Sequence, residues 1–291
     1  ALADWPMELG APVLDGDGDP TTYDLAAGAE PALVGDVAVF WVMNDAGNEH
    51  LSTGAAPLGV EVRVLAYGFD APGAPEASGE VDLSRDSFYR YEIVNRRSEP
   101  IDSLRVSLWA DVDLGGFQDD YIGTDSLRHM AYAFNGDNAD ERGYGPNPPA
   151  VGLQVLRGFG LPNGRDDDDD GEVDEADEQM RLTSAPFPLK AFDPSAGDDF
   201  LNLQRGRLAT GAPMEAYGDG VAGDDSPAGT STARFAFPAD PTADAFWSER
   251  NADDEGRANI PDDRRMMVTV GPGRLEPGAS VTVEFGIPFA Q

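Results

Sequence analysis

The chain has no cysteine. That excludes disulfide cross-links, thiol catalysis and thiolate zinc sites. Histidine is almost as scarce: His50 and His129 are the only two in 291 residues, and neither falls in a nucleophile or metal motif. No Gly-x-Ser-x-Gly, His-Glu-x-x-His or phosphate-cradling glycine-rich motif occurs, so the expected protein is not an enzyme. A carboxylate pair for glycoside hydrolysis stays open, because 54 acidic residues supply many unspecific pairs. Lysine occurs once, at Lys190, and every other cationic side chain is arginine. No run approaches the roughly 18 apolar residues of a membrane-spanning helix, so membrane insertion is not expected. Asn-x-Ser/Thr acceptors are missing as well. The opening residues, Ala1-Leu2-Ala3-Asp4-Trp5-Pro6, lack a basic start and an apolar core, so any signal peptide is expected to have been removed already.

What is abundant is negative charge. The 54 acidic and 20 basic residues leave a net charge of -34, which repels nucleic-acid phosphates and anionic lipid and argues against both partners. Two causes compete for the global excess: bound divalent ions, or adaptation to salt or to a GC-rich genome, with arginine replacing lysine. Neither habitat nor codon usage accounts for local clustering. Glycine (34) and proline (23) are also plentiful, which favours short strands joined by long ordered loops.

Period-2 alternation recurs along the chain. Val60, Val62 and Val64 share a face opposite Glu61 and Arg63; Leu104, Val106 and Leu108 alternate with Arg105 and Ser107. Val281, Val283, Phe285 and Ile287 alternate with Thr282 and Glu284. Further strands are expected over Val37–Met43, Phe88–Val94, Met130–Phe134, Gly152–Leu156, Thr232–Phe237 and Met266–Val270. The series predicts an all-β sandwich or jelly roll with long Gly/Pro/Asp-rich loops. Phe88–Asn95 and Leu104–Trp109 read as two strands of one immunoglobulin-like sheet, and Arg274–Gly278 as the turn of a closing hairpin. Helix is expected only at Asp199–Arg207 and Ala243–Arg250. The whole chain, 1–291, reads as one elaborated domain carrying an acidic insertion at 163–179.

The strongest local signal lies in that insertion. Counting from Asp166, carboxylates fall at Asp166, Asp168 and Asp170, glycine at Gly171, and further oxygen ligands at Glu172, Asp174 and Asp177. That is the ligand register of a calcium loop, with Asp at the last position where Glu is usual. The bland alternative is a solvated acidic tract. A second candidate is Asp15-Gly16-Asp17-Gly18-Asp19, where alternating glycines let the backbone wrap oxygens around a hard cation. A third gathers Asp111, Asp113, Asp119, Asp120 and Asp125 after the strand that ends at Trp109, and a further oxygen-rich loop holds Asn135, Asp137, Asn138 and Asp140. Carboxylates this close need a cation or raised pKa values, unless they form a solvated turn. The expected cofactor is therefore Ca2+. The aromatics Trp5, Trp41, Trp109 and Trp247, with Tyr89, Tyr91 and Tyr121, serve either a core or a sugar platform.

Several strings occur together: Asp111-x-Asp113-Leu114-Gly115, Asp119-Asp120-Tyr121-Ile122-Gly123-Thr124-Asp125, Tyr132-x-Phe134-Asn135-Gly136-Asp137, Tyr144-Gly145, Pro148-Pro149-Ala150-Val151-Gly152, Phe235-x-Phe237-Pro238-x-Asp240-Pro241, Trp247-Ser248-Glu249, Asp263-Arg264-Arg265 and Gly271-Pro272. Their order, from about Trp5 to Pro272, resembles a group of large, uncharacterised secreted proteins of Bacteroidetes-like bacteria associated with type IX export. The resemblance implies export and exposure at the cell surface, and no activity. No sorting domain follows in the chain, so a processed product or a fragment is expected. Asp102-Ser103-Leu104 and Asp125-Ser126-Leu127 are similar to the short O-glycosylation acceptor of that phylum. Together these features lead to an expected extracellular, calcium-stabilised structural protein that self-associates as a homo-oligomer, filament or surface layer. The alternatives are a glycan-binding module and a secreted glycoside hydrolase.

Overall fold

Alternating side chains need one wet face and one dry face, and the chain supplies both in two stacked β layers. The computed structural model describes residues 4–14, 23–47, 50–51, 53–70, 82–159, 182–187, 194–223 and 225–291. The larger layer is an antiparallel sheet. From edge to edge it runs β3 (Val37–Asn44), β4 (Val60–Gly68), β5 (Ser87–Asn95), β15 (Ser280–Ile287), β11 (Ala150–Arg157), β8 (Met130–Asn135) and β7 (Asp120–Asp125). A short β16 (Phe289–Ala290) continues β15 beyond Pro288 and pairs with the start of β11.

The smaller layer is built on β6 (Ile101–Asp111) and β14 (Arg265–Leu275), paired antiparallel with Arg265 opposite Asp111. Bridges from Ser184 to Thr269 and from Ala185 to Phe235 widen it on the far side of β14. Two-residue pairings make up the remaining β structure: β1 (Val13–Leu14) with β2 (Glu30–Pro31), β9 (Ala139–Asp140) with β10 (Gly145–Pro146), and β12 (Met214–Glu215) with β13 (Thr232–Ala233). The fold is thus an all-β sandwich, as the alternation predicts. Among the described residues no helix is long and apolar enough to cross a membrane.

One apolar cluster fills the space between the layers. Val283, Phe285, Leu153, Val155, Ala131, Ala133 and Ile122 come from the large sheet, and Met266, Val268, Val270, Phe187, Phe237 and Trp247 from the opposite side. β14 is buried on both faces, because Met267 on its outer side packs with Leu203, Ala209 and Trp109. Leu203 lies on α1 (Gly197–Gln204), near the expected helix and three residues shorter at its C-terminal end. Asp199 accepts hydrogen bonds from the Ser195 and Ala196 backbone N–H groups at 2.9 and 3.0 Å and so fastens the chain entering that helix.

Four local expectations are corrected. The strand expected over Thr232–Phe237 is only Thr232–Ala233, followed by an isolated bridge at Phe235. Residues 243–250 form turns closed by a Ser248–Asn251 bridge instead of a helix, because Asp244 and Trp247 adopt φ of 49° and 59° and Trp247 turns into the core. β5 and β6 do not share a sheet: β5 pairs with β4 and β15, while β6 pairs with β14. β14 and β15 likewise belong to different layers, so the Arg274–Gly278 segment crosses the sandwich and closes no hairpin.

Candidate metal centre

The third acidic loop is where the two layers meet at one end. β6 delivers Asp111, the loop carries Asp113 and Asp119, and β7 begins at Asp120. Two glycines make this close turn possible. Gly115 has φ of 81°, and a Cβ there would fall 1.7 Å from Asp140 Oδ2; a Cβ on Gly116 would lie 3.2 Å from Asp140 Oδ1 and 3.3 Å from Asp119 Oδ1. Any side chain at Gly115 would therefore displace Asp140, which is why the backbone needs glycine here.

The carboxylates in this cluster differ in how they are satisfied. Asp140 is buried and fully engaged: Oδ1 accepts from the Gly116 and Arg142 N–H groups, both at 3.0 Å, and Oδ2 from Tyr144 N–H at 2.6 Å. Those backbone donors, with Tyr144 the strongest, hold its carboxyl below the usual aspartate range. Asp119 Oδ2 accepts from Asn135 Nδ2 at 3.0 Å, and Asn135 lies directly opposite Asp120 in the β7–β8 pairing. Asp120 is 0% exposed, and its Oδ2 accepts from Leu114 N–H at 3.2 Å. The remaining oxygens, Asp119 Oδ1 and Asp120 Oδ1, are buried and have no hydrogen-bond partner. Burial, reinforced by the charges of Asp119, Asp140 and Asp113 and opposed by the Leu114 N–H, pushes the Asp120 carboxyl up to about 7. A buried carboxylate so placed requires a proton or a cation.

At the rim, Asp111, Asp113 and Asp263 each place a carboxylate oxygen within 4.8 Å of the others, a spacing suited to one ion. Asp263 arrives because β14 pairs with β6. Arg265 already neutralises part of this rim, reaching Asp111 Oδ2 at 3.2 Å and Asp263 Oδ1 at 3.1 Å. Deeper in the loop, Asp119 Oδ1 and Asp120 Oδ1 have no such cationic or hydrogen-bonding partner among the described residues.

Four of the five aspartates expected here, Asp111, Asp113, Asp119 and Asp120, are gathered at one end of the sandwich. Asp125 is not among them. It lies at the opposite end of β7, where it accepts from Leu127 N–H and Arg128 N–H at 3.1 and 3.0 Å and pairs with the Arg128 guanidinium at 2.6 Å. The loops with Asp166, Asp168, Asp170, Glu172, Asp174 and Asp177, and with Asp15, Asp17 and Asp19, lie outside the described residues. Asp263 carries no local signal as a member of this cluster and arrives only through the β6–β14 pairing, whereas Asp140, expected in a separate oxygen-rich loop, joins by packing against Gly115 and Gly116.

Glu249, 1% exposed, takes Arg264 Nε and Nη2 at 2.8 and 3.3 Å, Asn259 Nδ2 at 2.8 Å and Ile122 N–H at 3.4 Å. Both its oxygens are committed. The aromatics are dispersed: Trp247 and Tyr121 are buried, Trp109 packs beside α1, Trp5 tilts against Phe40 with centroids 6.1 Å apart, and Trp41 lies on the edge strand β3. No protein-family model and no curated protein matches the chain.

Proposed function

We propose that the protein is an extracellular structural or surface component whose loops are locked by calcium and which self-associates. The observation that carries this reading is the pair of buried, unpartnered oxygens on Asp119 and Asp120, inside a loop that also presents Asp113. Calcium suits such a site because it accepts six to eight oxygens at variable geometry, drawn from carboxylates, carbonyls and water. Asp119 and Asp120 would ligate the ion through their unpartnered oxygens, and Asp111, Asp113 and Asp263, whose carboxylate oxygens lie within 4.8 Å of one another, would form the rim of the site. The ion would take the place of a proton on Asp120 and tie the end of β6 to the start of β7. In a chain without cysteine, such ions fulfil the cross-linking role that disulfides have in other secreted proteins. The family resemblance supports export, and the absence of a nucleophile or acid–base motif supports a structural role.

Calorimetric titration of calcium into chelator-stripped protein, in excess sodium chloride to suppress counterion effects, tests the site. The D119N/D120N variant is expected to lose at least one binding event seen in the wild type. Equal stoichiometry and affinity in the two proteins would exclude this loop as a site.

A further inference from the structure

Natural sheets guard their edges with charge, proline or bulges, since an open edge invites another strand. β3 has none of these. Val37–Asn44 contains no charged residue in a chain of net charge -34, and it pairs with β4 over its full length without a bulge. Its outer edge has no partner strand among the described residues. On the core-facing side, Val37, Val39, Trp41 and Met43 remain 60, 57, 37 and 45% exposed. This stripe extends the core: Trp41 lies opposite Val64, which is 0% exposed, and Met43 opposite Val62. The other face is covered, with Trp5 against Phe40.

We infer that β3 is the self-association surface, and that its occupant is β3 of a second copy, paired antiparallel about a two-fold axis at Phe40. The inference rests on the self-association half of the proposed function and is independent of calcium. The charge pattern selects a second copy. Carboxylates flank the neutral strand at Asp36 and Asp45. With Phe40 opposite its own copy, Asp36 falls opposite Asn44 and Asp45 opposite Gly35, so no carboxylate faces another. In this register Val37 lies opposite Met43 and Val39 opposite Trp41, and both apolar stripes fall on one face of a continuous sheet. Apposing an uncharged edge strand of each copy also keeps the strongly negative surfaces apart. Main-chain hydrogen bonds along the joined edge supply the remaining attraction.

The absence of native cysteine makes the register directly testable. Across an antiparallel pair, directly opposed Cα atoms are about 4.5–5.5 Å apart, within the reach of a disulfide. F40C should therefore cross-link with its own copy on mild oxidation. A38C should not, because its symmetry mate is four residues out of register, roughly 13 Å away. Sedimentation at high salt, with and without chelator, should show the wild type at twice the monomer mass and V39K as a monomer. Cross-linking of A38C in preference to F40C, or a V39K variant that stays dimeric, would overturn the β3 pairing while leaving self-association standing. A wild type that is monomeric at every concentration would overturn both. Calcium-dependent melting of V39K reports separately on the metal reading.

Discussion

Asp120 concentrates the chemistry of this molecule into one side chain. Its carboxyl titrates near 7 in the folded chain, whereas an unfolded aspartate titrates near about 4. The folded state therefore binds the proton more tightly. Without metal, the stability tied to this group is fully present below about pH 4 and is lost as the pH rises through 7. The D120N variant removes the charge and keeps the shape. In chelator it should be at least as stable as the wild type at pH 8, and its melting temperature should fall less between pH 5 and 8. In calcium the order should reverse, by about 1–3 kcal/mol, the usual scale for a lost charged contact. Calorimetry in both buffers measures this, and an unchanged order would show that Asp120 holds no ion. Legibility at this scale follows sequence distance. Asp111, Asp113, Asp119 and Asp120 crowd within ten positions, so their mutual repulsion is visible in the sequence. Asp140 and Asp263 join only through the glycine turn and the β6–β14 pairing. Asp125 looked like a member because it is near in sequence, yet six residues of extended strand carry it to the far end of β7.

At the scale of elements, two crossovers between the layers run side by side, and Asn95 joins them. Its Nδ2 donates to the Glu99 and Leu275 carbonyls, both at 3.0 Å, and its Oδ1 accepts from Arg97 N–H at 2.9 Å. Its backbone completes the link, donating to Ala279 O and accepting from Gly278 N–H, both at 2.9 Å. Asn95 is 0% exposed, so Asn95→Ala would leave the buried Leu275 carbonyl without its donor and remove the tie to Glu99. The expected loss is about 2–4 kcal/mol in urea unfolding; a change within 0.5 kcal/mol would show that the crossovers hold without it. Strands were legible wherever alternation exceeded four residues, as in β4, β6 and β15. Pairing was not, because a five-residue connection such as Arg96–Pro100 fits a hairpin and a layer crossover equally well. β7 went unrecognised as a strand because Asp120 and Asp125 at its ends look like loop residues, while Tyr121 and Ile122 between them are buried. The helix expected at Ala243–Arg250 failed for a tertiary reason: burying Trp247 against Phe237, with ring centroids 5.4 Å apart, outweighs helix propensity.

For the whole molecule, the question is how a chain of net charge -34 stays folded without a disulfide. Part of the answer is visible on the outer face of the large sheet. Arg63 bridges Glu61 and Glu92, both at 3.0 Å, and Arg90 meets Glu284 at 3.1 Å. These pairs are partly exposed, and each contributes little. Twenty basic residues cannot balance 54 acidic ones, so cations from solution must supply the difference. Diffuse screening by salt and ions held at fixed sites differ in their dependence on ion type. Screening follows ionic strength and acts alike with sodium or calcium of matched strength. A held ion stabilises by mass action, about 2.7 kcal/mol per site at a hundredfold excess over its Kd. In a protein of this size, that raises the melting temperature by several degrees. Thermal unfolding in calcium and in EDTA, at ionic strength matched with sodium chloride, separates the two directly. If calcium rivets the acidic loops, the melting temperature drops by several degrees on chelation and sodium chloride does not restore it. The same melting temperature in both buffers would contradict a calcium-locked sandwich.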